Sequence, residues 1–182
     1  MKFILILTVV FASVFVNGQD IYYAEPVKIP ILLSGSFAEL RNNHFHSGID
    51  IKTQGRVDIP VFSVADGFIS RISISPTGYG NVLYIDHDNG TTSVYGHLNQ
   101  FRPDIQNYIK NIQYERKSFK VDVQVLPGIF PVQKNEKFAL SGNTGSSEGP
   151  HLHFEIRNTK NDDPVNPLKL GFILLKTTPH QK

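Results

Sequence analysis

The stretch GPHLHFEIR, residues 149–157, decides how the chain is read. Apolar and polar side chains alternate from His151 onward, and period-two alternation is the signature of a strand, because successive side chains leave opposite faces of the pleat. Leu152, Phe154 and Ile156 then face a core, while His151, His153, Glu155 and Arg157 share the other face. A lone histidine on a strand is ordinarily a satisfied polar group. Two on one face, followed by a carboxylate, ask for a partner elsewhere in the chain.

Outward from this strand the sequence is mostly short apolar runs punctuated by Gly, Pro and Asn. Strands are expected at 29–33, 61–65, 68–74, 82–86, 91–95, 119–125, 138–141 and 151–156. The segment YIDHDNGTTSVY (84–95) reads as a hairpin, with Asn89-Gly90 supplying the positive φ angles of a tight turn. One segment breaks the pattern. In RPDIQNYIKNIQYERK (102–117), Ile105, Tyr108, Ile109 and Ile112 fall at i, i+3, i+4 and i+7. Pro103 suits the first helical turn, Asp104 the positive end of the dipole, and Arg116-Lys117 the negative end. The expected fold is mainly β, an antiparallel sheet or sandwich with one inserted amphipathic helix at about 103–117. Without repeats or low-complexity linkers, residues 20–182 are expected to form a single domain.

The chain opens MKFILILTVVFASVFVNGQD, in which Lys2 precedes an apolar run from Phe3 to Val16 and then small or polar residues. This is the layout of a secretory signal peptide over 1–19, and the run is too short to favour a membrane span. Cleavage would leave about 163 residues, enough for one ordinary core. The expected product is exported, to the periplasm or the medium, with no stable membrane anchor and a monomeric state. The formal charge of +2 and the absence of a long basic run give no support to nucleic acid as a partner. There is no cysteine, which excludes disulfide staples, thiolate metal sites and a cysteine nucleophile.

The partners of the 151/153 pair are sought among the other histidines. In RNNHFHSGIDIKT, His46 and Asp50 lie four apart. A fully extended strand would separate them by about 13 Å. Gly48 and the β-branched Ile49 and Ile51 disfavour a helix, so a bend at Ser47-Gly48 leading into a strand at Ile49 is expected, with Gly48 tolerating the dihedrals of the bend. Imidazoles plus one carboxylate are the usual ligands of catalytic zinc, three protein ligands leaving a fourth position to water. His46, Asp50 and one of His151 or His153 would make that set. His97, in SVYGHLNQ, stands where a strand ends and gains weight only if the fold brings it to the metal. His44 is read as a neighbour of the site, and His87 as structural.

Taken in order, HFHSGIDI (44–51), VYGHL (94–98) and SGNTGSSEGPHLHFEIR (141–157) resemble the lysostaphin-type (LytM-like) zinc metallopeptidases, which cut peptide cross-links in bacterial peptidoglycan. The resemblance runs from about 37 to 168. It implies a β-rich metallopeptidase domain holding one Zn2+ per chain. By motif position it implies His46, Asp50 and His153 as zinc ligands, His151 as general base, and His97 as a second catalytic histidine that holds the water or stabilises the oxyanion. Strand geometry separates the Cβ atoms of i and i+2 by about 6.6 Å, so one ring can bind the ion while the other reaches its water. Neutral imidazoles are needed throughout, and activity is expected to fall below about pH 6.5. Gly142–Gly145 are expected to form a loop presenting Pro150-His151, and the 99–137 segment to be longer than in the simplest relatives. Two other readings remain: a non-catalytic wall-binding or regulatory domain, and a lipoyl-like carrier. The second lacks a lysine at its hairpin tip.

Overall fold

The computed structural model describes residues 23–42 and 44–171. The expected signal segment and His180 lie outside the described residues. The chain runs β1 (Leu33–Gly35), β2 (Ile49–Lys52), β3 (Pro60–Phe62), β4 (Gly67–Ile74), β5 (Asn81–His87), β6 (Thr91–Gly96), β7 (Gln100–Phe101), α1 (Pro103–Arg116), β8 (Val121–Gln124), β9 (Pro131–Val132), β10 (Lys137–Leu140), β11 (His151–Asn158) and β12 (Pro164–Val165). A 3-10 turn, Pro167–Leu170, follows. The fold is mainly β with a single α-helix among the described residues.

The stretch from His151 becomes β11, the third strand along a nine-stranded sheet ordered β1-β2-β11-β6-β5-β4-β8, in which β12 also pairs with β11 and β9 with β4. A second sheet has the order β3-β10-β7. Every strand pair among the described residues is antiparallel. Leu152, Phe154 and Ile156 are fully buried in the core, together with Ile51 from β2, Tyr95 from β6, and Leu83 and Ile85 from β5. Burying each such side chain stabilises the fold by about 1.5–3 kcal/mol. A one-residue slip of β11 would turn all three outward, so the core fixes which face carries the histidines. The ring of Tyr95 meets Phe138 of β10 edge-on at 4.7 Å and Phe154 at 5.3 Å, which joins the two sheets through one core. Tyr95 is thus a core residue.

Helix α1 starts with Pro103 at its N-terminus and Asp104 in the first turn, and it buries Ile105 and Ile109 in the same core. It ends at Arg116 because Lys117 turns left-handed, at φ 48°. The expected strand at 29–33 does not form. Pro30 lacks the N–H a ladder needs, and pairing begins instead at Leu33, opposite Ile51. The 84–95 hairpin is present with a different turn. Only Gly90 takes a positive φ, 78°, while Asn89 acts through its side chain, whose Oδ1 accepts from Thr91 N and Oγ1 at 3.0 and 2.6 Å.

The bend ahead of β2 falls where the sequence places it, at Gly48. Its reason differs. Gly48 does not have a positive φ; a Cβ there would overlap the Phe154 carbonyl and lie 2.7 Å from Glu155 Cγ. The glycine is required by close approach to β11. Gly48→Ala is accordingly expected to lower stability by about 1–3 kcal/mol, the usual cost of overpacking, read as a lower urea midpoint at unchanged m-value.

Candidate metal centre and its surrounding histidines

Antiparallel register brings the distant histidine segments together. His153 of β11 stands opposite Asp50 on one side and Gly96 on the other, and His97 follows Gly96 directly. The bend at Gly48 swings His46 back over the strand it precedes. His46, Asp50 and His153 are all buried, and their ligand atoms converge. His46 Nε2 lies 3.2 Å from Asp50 Oδ1 and 3.0 Å from His153 Nδ1, and His153 Nδ1 lies 2.9 Å from Asp50 Oδ1. A tetrahedral zinc with bonds of about 2.0–2.1 Å spaces its ligand atoms by about 3.3 Å.

The remaining ring nitrogens determine what the cluster offers. His46 Nδ1 donates to the Ser36 carbonyl at 2.9 Å, and His153 Nε2 donates to Glu155 Oε1 at 2.7 Å. Each ring therefore turns its other nitrogen toward Asp50. Two imidazole nitrogens and a carboxylate oxygen within about 3 Å of one another are a donor set for a cation. Asp50 Oδ2 accepts from Arg41 Nη2 at 2.8 Å, which fixes the plane of the carboxylate. Burial alone would raise the Asp50 pKa, but the adjoining His151, His153 and His46 rings outweigh it and hold the carboxyl well below its usual range. Burial likewise opposes charge on His153, yet Asp50 and Glu155 together draw its pKa upward, so a cation arriving there displaces a proton.

His151 and His97 sit beside this cluster with their rings 4.6 Å apart. His151 Nδ1 donates to the Gly149 carbonyl at 2.8 Å, and its Nε2 reaches to 3.5 Å from Asp50 Oδ1. Its side chain keeps 17% of its surface exposed, against 5% for His153, so it is the more accessible of the pair. His97 occupies a left-handed turn at φ 58°, uncommon for a non-glycine residue. That turn is held by His97 N donating to the Tyr79 carbonyl at 2.8 Å and by Nδ1 donating to the Thr144 carbonyl at 2.7 Å. The 142–145 loop thus lends a backbone acceptor to His97, and its Gly142 bridges His151. Burial pushes the His97 pKa down to about 4, against the pull of the Thr144 carbonyl.

A model of peptidase family M23 matches residues 44–114 and 122–167. The chain belongs to peptidase family M23. Most of the 99–137 segment lies inside that match, which is interrupted only at 115–121. An uncharacterized metalloprotease of Haemophilus influenzae is 33% identical over 124 residues, covering 68% of this chain and 20% of the relative. The DD-carboxypeptidase/endopeptidase Mpg of Neisseria meningitidis is 34% identical over 127 residues, covering 69% and 23%. The peptidoglycan DD-endopeptidase ShyB of Vibrio cholerae is 30% identical, covering 72% and 24%. The chain therefore spans about a fifth to a quarter of the length of these relatives. A zinc-containing peptidase from Vibrio cholerae shares 25% identity at TM-score 0.58, covering 85% of this chain and 40% of that one. The lysostaphin catalytic domain of Staphylococcus simulans has the same fold at TM-score 0.52 and 23% identity, covering 74% and 85%.

In this M23 chain the fold brings together all five residues singled out by sequence. His44 is exposed on the hairpin before the bend, where its carbonyl accepts from Arg41 N at 2.9 Å. His87 is buried between the Asp66 carbonyl and Ser93 Oγ, a structural position. Sequence reasoning missed Arg41 and Tyr79. The first lies in irregular chain, and the second belongs to a Gly-flanked loop whose partners are remote in sequence.

Proposed function

We propose that this chain is a zinc-dependent endopeptidase acting on the peptide cross-links of bacterial peptidoglycan, outside the cytoplasm. The observation that carries the reading is the convergence of His46 Nε2, Asp50 Oδ1 and His153 Nδ1, with the far nitrogen of each ring already committed as a donor. The substrate class is supported by the relatives, among them peptidoglycan DD-endopeptidases of Vibrio cholerae. Among the described residues no helix is long and apolar enough to cross a membrane.

One Zn2+ in this cluster would lower the pKa of a bound water from about 15.7 toward 7 and polarise a scissile carbonyl. His151 presents a bare Nε2 toward the cluster and is the proton acceptor. The proton taken from water at Nε2 is later handed to the departing amine nitrogen, which closes the proton balance of peptide hydrolysis. His97 has a narrower role than sequence leaves open. Its Nδ1–H is committed to Thr144, and its low pKa keeps Nε2 unprotonated at neutral pH, so Nε2 accepts a hydrogen bond. That suits holding the water. Stabilising an oxyanion would require a proton at Nε2.

The test of this reading is digestion of purified peptidoglycan by the zinc-loaded protein, followed by muropeptide separation. Cross-linked dimers should disappear and the corresponding monomers accumulate, with cleavage stopped by chelator and restored by zinc. Intact cross-links across walls of differing bridge chemistry would contradict the reading.

The pKa of His97 also predicts a pH effect on stability. Between about pH 6.5 and 4 the unfolded chain binds a proton at this position and the folded chain does not, so its contribution falls as pH falls. The full effect is about 3 kcal/mol at the acid end. His97→Asn tolerates the left-handed backbone and removes the titration. Urea midpoints of the metal-free protein should decline less steeply from pH 6.5 to 4 in this variant than in the parent.

A further inference from the structure

Glu155 is a carboxylate with no exposed surface, on the histidine face of β11. Taking such a group out of water costs several kcal/mol unless its lone pairs are satisfied. Here Oε1 accepts from His153 Nε2 at 2.7 Å, Ser47 Oγ at 2.7 Å and Tyr79 OH at 2.6 Å, while Oε2 accepts from Arg157 Nε at 2.6 Å. Ser47 belongs to the bend that carries His46, Tyr79 to the loop before β5, and His153 to β11. One buried charge therefore joins three segments around the metal cluster.

Tyr79 adds a second constraint on the same ring. Its phenol ring stacks on His153 with centroids 4.9 Å apart and planes tilted by 26°. The Glu155 bond fixes the direction of His153 within its plane, and the stack fixes the plane itself. Burial, and then the Glu155 charge, push the Tyr79 phenol well up, so it remains a donor to Glu155. The backbone carbonyl of Tyr79 accepts from His97 N at 2.8 Å and so supports the left-handed turn that aims His97.

We propose that Tyr79 and Glu155 are positioning residues, which hold His153 with Nδ1 toward the ion and couple that ligand to His97 through the Tyr79 carbonyl. This rests on the zinc reading above. A glutamine at 155 cannot substitute. Turned one way its NH2 faces the His153 Nε2–H, turned the other it faces Arg157 Nε, so one of the two contacts becomes donor against donor, whereas the Ser47 and Tyr79 hydroxyls can rotate to accept. With NH2 toward His153, the ring is driven to carry its proton on Nδ1, the atom that must be bare for an ion.

The experiment is competition for zinc against a chromophoric chelator, with the parent, Tyr79→Phe and Glu155→Gln. Circular dichroism and the urea midpoint of each metal-free protein are measured alongside. Partners of metal-binding histidines typically contribute about 10–100-fold in affinity. Glu155→Gln should weaken zinc binding within that range. Tyr79→Phe, which keeps the stack and the backbone carbonyl, should weaken it by several-fold. In zinc-loaded parent protein, His153 Nε2–H should give a slowly exchanging low-field proton resonance that shifts in Tyr79→Phe.

Unchanged zinc affinity and an unchanged resonance in Tyr79→Phe would overturn the inference, even with a lower urea midpoint, since that pattern is purely structural. Should Glu155→Gln fail to fold, the Tyr79→Phe comparison decides alone. Absence of zinc binding by the parent would instead defeat the underlying metal reading.

Discussion

Replacing His151 with alanine is expected to reduce kcat for cross-link hydrolysis by about 10²–10⁴-fold, the range general base catalysis supplies, while leaving zinc bound at the parent level. The expectation comes from the asymmetry of the HLH pair. His153 Nδ1 is buried 2.9 Å from Asp50 Oδ1, whereas His151 Nε2 stands off at 3.5 Å on a partly exposed side chain. His151 Nδ1 donates to the Gly149 carbonyl, and Ser147 Oγ lies 3.2 Å from that Nδ1. Its removal deletes a proton acceptor and leaves His46, Asp50 and His153 in place. Muropeptide release under saturating substrate, together with metal analysis of the same preparation, checks both halves. Loss of zinc in His151→Ala would make His151 a ligand and reverse the assignment of the pair.

Asp50→Ala is expected to have the larger effect on the metal. Asp50 Oδ1 is the atom toward which His46, His153 and His151 all turn a nitrogen, at 3.2, 2.9 and 3.5 Å. Removing it deletes the only carboxylate among the proposed ligands. It also takes from the Arg41 guanidinium the nearer of its two anionic partners, leaving Glu39 at 3.7 Å. Zinc affinity should fall by more than about a hundredfold, beyond what a mere hydrogen-bonding partner of a ligand contributes, and hydrolysis should fall with it. The metal-free protein should also lose about 1–3 kcal/mol from the broken charged hydrogen bond. Chelator competition and urea unfolding measure the two effects separately. An affinity within tenfold of the parent would remove Asp50 from the ligand set.

The contrast between what the sequence discloses and what it hides has physical causes. The 151–157 alternation is read correctly because a half-buried strand imposes a period of two, and Leu152, Phe154 and Ile156 do line the core. Helix α1 is legible because Ile105 and Ile109 repeat at helical spacing against that core. The bend between His46 and Asp50 follows from chain reach once Gly48, Ile49 and Ile51 disfavour a helix. Periodicity does not disclose β7, β9 and β12, each two residues long, two of them opening on proline. Nor does it disclose Arg41, Tyr79 or the Ser36 and Thr144 carbonyls, which act singly across large sequence separations. Gly48 is recognised as necessary, but its cause lies in the packing of β2 on β11 and not in its dihedral angles.

The proposed centre is a single ion held by three named atoms. Its most direct test is anomalous diffraction at the zinc edge from crystals of the zinc-loaded protein. One strong peak per chain is expected within about 2.0–2.2 Å of His46 Nε2, Asp50 Oδ1 and His153 Nδ1, with His151 and His97 Nε2 outside that distance. No peak in the cluster, or a peak bound by His151 in place of His153, would contradict it.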